Sequence, residues 1–383
     1  MREMELYIHI PFCVKKCLYC DFLSGPADPP AYALYVKRLT EEIEALAPQY
    51  DEYQVSSVYI GGGTPSILDP VHIDRLMDAV FDNFHIIDGA EITIECNPGT
   101  VYGGNARIMR KAGINRMSIG LQSIHNGELK LLGRIHTFED FLRSFEEARK
   151  AEFTNINVDL IFGLPGQSIA DWKETVKKTA LLRPEHISAY SLIIEEDTPF
   201  YDRYHDDAVI QANGGEPKLL PSEEEEREMY RLAGEYLGSR GYRHYEISNY
   251  ARAGRESSHN IGYWTGKEYL GLGLGAASLI GNVRFQNTSV FEDYIKKPFA
   301  RQDEQVLDKK ERIGEFMFLG LRMTDGVSRR DFVDRFECEP EAVYGNTLFE
   351  LVQEELLAVS EGRIYLTEKG VDVSNTVFAR LLL

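Results

Sequence analysis

The sequence contains no apolar run approaching the roughly 20 residues that a membrane-spanning helix requires. Its longest nearly apolar stretch, Tyr269 to Ile280, is about a dozen residues rich in glycine, so no transmembrane segment is expected. A secretion signal is missing as well, because Met1 to Glu5 lead straight into an apolar strand pattern without a basic stretch and a long apolar core. The protein is therefore expected in the cytoplasm. Basic residues are outnumbered, 42 Lys and Arg against 61 Asp and Glu, and the net charge of −19 repels phosphate backbones and anionic lipid surfaces. Nucleic acid is not an expected partner. Cysteine is scarce, five in 383 residues, and a reducing compartment argues against a disulfide scaffold. Repeats and low-complexity tracts are absent, and 43% apolar with 27% charged residues is ordinary for a globular chain. Its length suggests one large α/β domain plus an appendage.

The cysteines that are present are clustered. Cys13, Cys17 and Cys20 fall within eight residues, whereas Cys96 and Cys338 stand alone and suit packing as small apolar side chains. Three closely spaced thiolates can hold three corners of a 4Fe-4S cubane and leave one iron open to a further ligand, unlike the four-cysteine ligation of a ferredoxin. Structural zinc is the alternative. It normally takes four protein ligands, and His9 is the only nearby candidate for a fourth.

Strand and helix patterns alternate from the start. Candidate strands are Leu6 to Ile10, Ser57 to Ile60, Glu91 to Cys96, Met117 to Leu121, Ile156 to Ile161 and Ile187 to Ile193, separated by helical stretches such as Ala31 to Leu46, Val71 to Asn83, Phe138 to Ala151 and Ile169 to Leu181. Six such units predict an α/β fold with a partial (β/α)6 barrel. Period-two reading then separates a polar face from an apolar one. Thr93, Glu95 and Asn97 oppose Ile92, Ile94 and Cys96; Asn157 and Asp159 oppose Ile156, Val158 and Leu160; Ser118, Gly120 and Gln122 oppose Ile119 and Leu121. With helices on the apolar face, the barrel interior is polar and holds something polar. Signals also recur where the loops after the strands converge, in the cysteine loop, Gly61 to Pro65, Asn97 to Gly99, Gln122-Ser123 and Gly163 to Gly166.

The spacing Cys-x3-Cys-x2-Cys, with the aromatic Tyr19 before the last cysteine, resembles the radical-SAM superfamily. YIHIPFC, GGGTPS, ECNPG, GLQS, DLIFGLPGQ and HNIGYW extend the resemblance over nearly the whole chain to the oxygen-independent coproporphyrinogen III oxidase family. Within that family the sequence resembles the haem-chaperone branch. The dehydrogenase branch places a further cysteine two residues after the third motif cysteine, where this chain has Phe22. The resemblance implies a 4Fe-4S cluster on Cys13, Cys17 and Cys20, with S-adenosyl-L-methionine (SAM) on the remaining iron. It implies that Tyr7, Tyr19, Gly62, Gly63, Thr64, Glu95, Gln122, Arg134 and Asp159 line or bind the SAM site. It further implies haem as a ligand, haem-accepting proteins such as respiratory enzymes and an electron donor as partners, and His259 in HNIGYW as the candidate haem residue. No catalytic acid or base is readable.

Three domains of organisation are expected: a core barrel over 1–245, a connecting segment with the HNxxYW motif over 246–303, and a mainly helical, winged-helix-like domain over 304–383. Three functions from different classes follow: a haem chaperone carrying a cluster and SAM, a porphyrinogen-oxidising radical enzyme, and a cluster-bearing DNA-binding protein. Phe22 weighs against the second and the acidic balance against the third.

Overall fold

Apolar side chains at alternate positions of short β-branched runs build the strands, and the computed structural model describes them within residues 1–297 and 299–383. Strands β1 (Arg2–Ile10), β2 (Tyr53–Gly62), β3 (Ile86–Cys96), β4 (Arg116–Gln122), β5 (Ile156–Phe162) and β6 (His186–Ser191) pair in parallel and in chain order. Parallel neighbours require long crossovers. Helices Pro29–Leu46, Pro70–Asn83, Gly103–Lys111, Phe138–Lys150 and Ile169–Leu181 supply them. Their starts are written into the sequence, since the side chains of Asp28, Asp69, Thr137 and Ser168 each accept a first-turn backbone N–H.

Both faces of the strands are buried. Ile94, Ile119, Val158 and their neighbours join the crossover helices in one large apolar core. On the opposite face Glu5, Ser57, Thr93, Arg116, Ser118, Asn157 and His186 are buried too, so the sheet curls around a polar lumen.

The sheet is wider than the six expected strands. β7 (Arg243–Glu246) and β8 (Asn249–Ala251) add antiparallel partners beyond β6. On the other side β9 (Glu268–Leu272) runs parallel to β1, followed by antiparallel β10 (Ala277–Ile280), β11 (Val283–Asn287) and β12 (Arg301–Val306). The glycine-rich composition around β9 hid it from a pattern reading. Those glycines permit close backbone approach, for a Cβ on Gly271 would overlap the carbonyl oxygen of Ala277. β6 is shorter than expected, ending at Ser191, and Leu192 and Ile193 turn onto the rim of the lumen.

A second apolar core, including Met317, Phe332, Leu351 and Ile364, belongs to the C-terminal domain. Helices Lys309–Gly320, Arg329–Phe336 and Pro340–Gln353 surround a small sheet of β13 (Val327–Ser328), β14 (Leu357–Ser360) and β15 (Arg363–Leu366), the winged-helix-like arrangement expected. The second helix of its helix-turn-helix pair, Pro340–Gln353, contains no Lys or Arg. No helix among the described residues is long and apolar enough to cross a membrane.

Candidate functional site

The loop leaving β1 is pinned on both sides. Cys13 N–H donates to the Gly25 carbonyl at 2.9 Å, Gly25 N–H to Pro11 at 3.0 Å, and Leu18 N–H to Leu132 at 3.0 Å. Cys13, Cys17 and Cys20 thereby line one cavity of about 380 Å³ at the carboxyl ends of the strands. Among the described residues no three His, Cys, Asp or Glu side chains are gathered to hold one metal ion. A zinc ion needs its ligands on one centre, whereas a cubane spreads three thiolates over three irons. Three thiols on one cavity wall fit a cluster that takes three cysteines and leaves one iron open. His9 is no fourth ligand, because its ring bridges the Tyr7 hydroxyl at 3.0 Å and the Leu23 carbonyl at 2.9 Å.

Seven of the nine residues expected around SAM share that cavity: Tyr19, Gly62, Gly63, Glu95, Gln122, Arg134 and Asp159. The glycines are required by space. A Cβ on Gly62, at φ +110°, would lie 2.5 Å from the His9 ring, and one on Gly63 would lie 2.5 Å from the Phe12 carbonyl oxygen. Glu95 is held from two sides, accepting from the Tyr59 hydroxyl at 2.8 Å and from Gly62 N–H at 3.0 Å. Burial nonetheless pushes its carboxyl up to about 7, which a cationic ligand beside it would reverse. Asp159 accepts from Ser118 at 2.8 Å and Asn157 at 2.7 Å, and burial also raises its carboxyl. Gln122 ends β4 at φ +70°, a left-handed conformation uncommon outside glycine. Arg134 is no surface cation: it donates to Asn97 at 2.6 Å and to the Tyr19 hydroxyl at 2.8 Å.

The other two of the nine lie off this wall. Tyr7 does not line the cavity, because its hydroxyl turns to His9 and its ring packs on Tyr59 one layer deeper. Thr64 faces a smaller neighbouring recess, where it donates to Cys13 Sγ at 3.6 Å and accepts from Asn97 at 2.7 Å. Conversely, Tyr59 and Tyr190 line the cavity without having been singled out, and Asn97 and Ser118, which the alternation placed on the polar face, join them. Carrying the polar face across the sheet to β2 and β6 would have found Tyr59 and Tyr190.

His259 lies elsewhere. The helix Ser258–Trp264 plugs the lumen near the amino ends of β1 to β3, and the His259 side chain is only 1% exposed. Its Nδ1 contacts Ser57 Oγ at 2.9 Å, and its ring lies between Tyr59 and Tyr263. A macrocycle has no access to this imidazole, so direct haem ligation by His259 does not fit this arrangement. Gly262 allows the plug to seat, for any Cβ there would overlap the Glu5 carboxyl group.

Comparisons with known proteins agree with this architecture. Residues 7–179 match the model of the radical SAM superfamily, and residues 307–373 match that of the HemN C-terminal domain. The chain is 37% identical to the heme chaperone HemW of Lactococcus lactis subsp. lactis (strain IL1403), covering 100% of this chain and 98% of that one. It is 36% identical to the heme chaperone HemW of Bacillus subtilis (strain 168), covering 98% of each. Among solved structures, the coproporphyrinogen III oxidase HemN of Escherichia coli superposes with a TM-score of 0.84 over 100% of this chain and 90% of that one, at 24% identity, which speaks to the fold. On this identity over essentially full length, the chain belongs to the HemW family of haem chaperones within the radical SAM superfamily.

Proposed function

We propose that this protein is a cytoplasmic haem chaperone that carries a 4Fe-4S cluster on Cys13, Cys17 and Cys20, binds SAM in the lumen cavity, and passes haem to acceptor proteins such as respiratory enzymes. The observation that carries the cofactor part is the meeting of three thiols and seven SAM-site residues on one cavity wall. When bound, a reduced cluster supplies one electron for cleavage of the SAM sulfonium, and a separate electron donor would have to provide it. The chain's own contribution is binding and orientation. Gly62 and Gly63 bring backbone close, Glu95 and Asp159 offer acceptors to a cationic ligand, and Arg134 fixes Tyr19 beside the cysteine loop. Haem is cargo in this reading, supported by the names of the relatives. Nucleic-acid binding has no comparable support, since the exposed helix of the winged domain lacks cations.

The test is anaerobic reconstitution followed by haem titration and, in parallel, incubation with SAM, reductant and coproporphyrinogen III. Tight haem binding without porphyrin product supports the proposal. Turnover without haem binding contradicts it.

A further inference from the structure

A second cavity, of about 630 Å³, opens at the opposite end of β1 from the cysteines, between the plug helix and the C-terminal domain. Aromatic rings form its walls, Tyr263, Trp264 and Tyr269 from the barrel side and Phe316 and Phe336 from the C-terminal domain. Tyr263 and Tyr269 meet edge to face with centroids 4.7 Å apart, and Phe316 and Phe336 do so at 5.5 Å. Such a volume and lining suit a flat, drug-sized or larger aromatic ligand.

The charges in the cavity are not evenly matched. Arg2 pairs with Glu268, Lys267 with Glu3 at 3.2 Å, and Arg284 with Glu315 at 2.7 Å. That leaves Arg312 and Arg335, neither of which has a carboxylate within 4.0 Å among the described residues. Arg335 donates only to the backbone carbonyls of Thr265 and Gly266, at 3.2 and 3.4 Å, and lies 4.9 Å from the centre of the Phe316 ring. Desolvation of its partly covered head and the neighbouring Arg312 work against its positive charge, while Asp331 and Glu268 favour it. Both side chains are exposed, so water screens their repulsion, and in a chain with 61 acidic residues they stand as two adjacent guanidinium groups with no carboxylate within 4.0 Å among the described residues. The Trp264 indole N–H is also buried beside the cavity without an acceptor. Both features point to an anionic ligand.

We infer that this cavity is the haem site, with the aromatic walls packing on the macrocycle and Arg312 and Arg335 receiving its two propionates. This rests on the haem-chaperone reading and adds a location to it. A guanidinium matches a carboxylate with paired donors, and two of them match a dicarboxylate edge. The site lies at the far end of the barrel from the cluster loop, so haem and SAM occupy separate compartments. His259 then serves haem at one remove, because its ring packs edge to face on Tyr263 with centroids 4.8 Å apart.

The experiment is a haem titration of the anaerobically reconstituted full chain, its R312E/R335E variant and the milder R312Q/R335Q variant, with iron content and thermal unfolding measured on each. The wild type is also titrated with haem dimethyl ester. The inference expects haem affinity to fall at least about tenfold in both variants while cluster iron is retained, and the ester to bind the wild type correspondingly more weakly, about 1.4 kcal/mol per tenfold. Unchanged haem affinity in folded variants, or equal affinity for the ester where the variants misfold, overturns the site while leaving haem binding intact. No haem binding by the wild type overturns both this inference and the reading beneath it.

Discussion

The imidazole of His259 lies nearly flat against the ring of Tyr59, with centroids 5.0 Å apart and planes inclined by 23°. Tyr59 in turn donates to Glu95 on the wall of the cysteine-lined cavity, and the other face of the contact chain reaches Tyr263 in the second cavity. One buried histidine thus supports both compartments without opening onto either. Each ring contact contributes about 0.5–1.5 kcal/mol, so His259→Ala is expected to destabilise the fold by about 2 kcal/mol and to weaken haem binding. Because the residue positions and does not ligate, the visible bands of the bound haem should stay unchanged. A shifted Soret band at saturating haem would assign His259 to the iron.

Loss of one thiol should remove the cluster. With three cysteines on the cavity, Cys17→Ser leaves only two corners of the expected cluster held. Anaerobic iron and sulfide analysis with visible absorption should show a colourless protein. Unchanged stoichiometry would mean that Cys17 is not a ligand.

Glu5 Oε2 approaches His259 Nδ1 at 3.6 Å, yet the two do not form an ion pair at neutral pH. Burial pushes Glu5 up to about 8 and His259 down to about 3, so both are neutral. Lys267 pulls the Glu5 carboxyl down while Glu91 and Glu3 push it up, and burial outweighs them. An acid whose folded value is raised stabilises the fold most below its unfolded value near 4.5, and that contribution is lost as pH rises towards about 8. His259 adds no slope above its ordinary value of 6.5. Between pH 6.5 and 8, Glu5→Gln should therefore flatten the decline of stability, by up to about 1.4 kcal/mol per pH unit. Denaturant unfolding across that window measures it, and identical slopes in parent and variant would refute the placement of this proton.

Much of the site was legible because strand periodicity and glycine spacing are local. Alternation placed Glu95, Gln122 and Asp159 on the polar face, while their role at SAM, like that of Gly62 and Gly63, was implied by the family resemblance. What escaped depends on contacts distant in sequence. His259 meets Ser57 across 202 positions, and nothing local distinguishes a buried imidazole from a metal ligand. Arg134 gained its role from Asn97 and Tyr19, 37 and 115 positions away. The strand β9 was masked by glycines that only make sense beside Ala277, and the second cavity needed two domains to be brought together.

Phe22 stands at the mouth of the cysteine-lined cavity and is 61% exposed. A phenyl ring there has no redox or acid–base capacity, so no conversion of coproporphyrinogen III to protoporphyrinogen IX is expected even with cluster and SAM in place. Chromatography of an anaerobic reaction would detect the decarboxylated porphyrin. Phe22→Cys should not by itself create turnover, because fold similarity does not supply substrate contacts. Turnover by the parent chain at rates of an authentic dehydrogenase would contradict this.

The central claim is that haem is cargo, and transfer measures it most directly. Anaerobically reconstituted protein loaded with one equivalent of haem is mixed with an apo haem protein, and the Soret bands of donor and acceptor are followed after separation. The account predicts that haem moves to the acceptor, that the acceptor gains its holo spectrum, and that R312E/R335E delivers less because it loads less. Haem that remains on this protein, or that never binds it, would contradict the account.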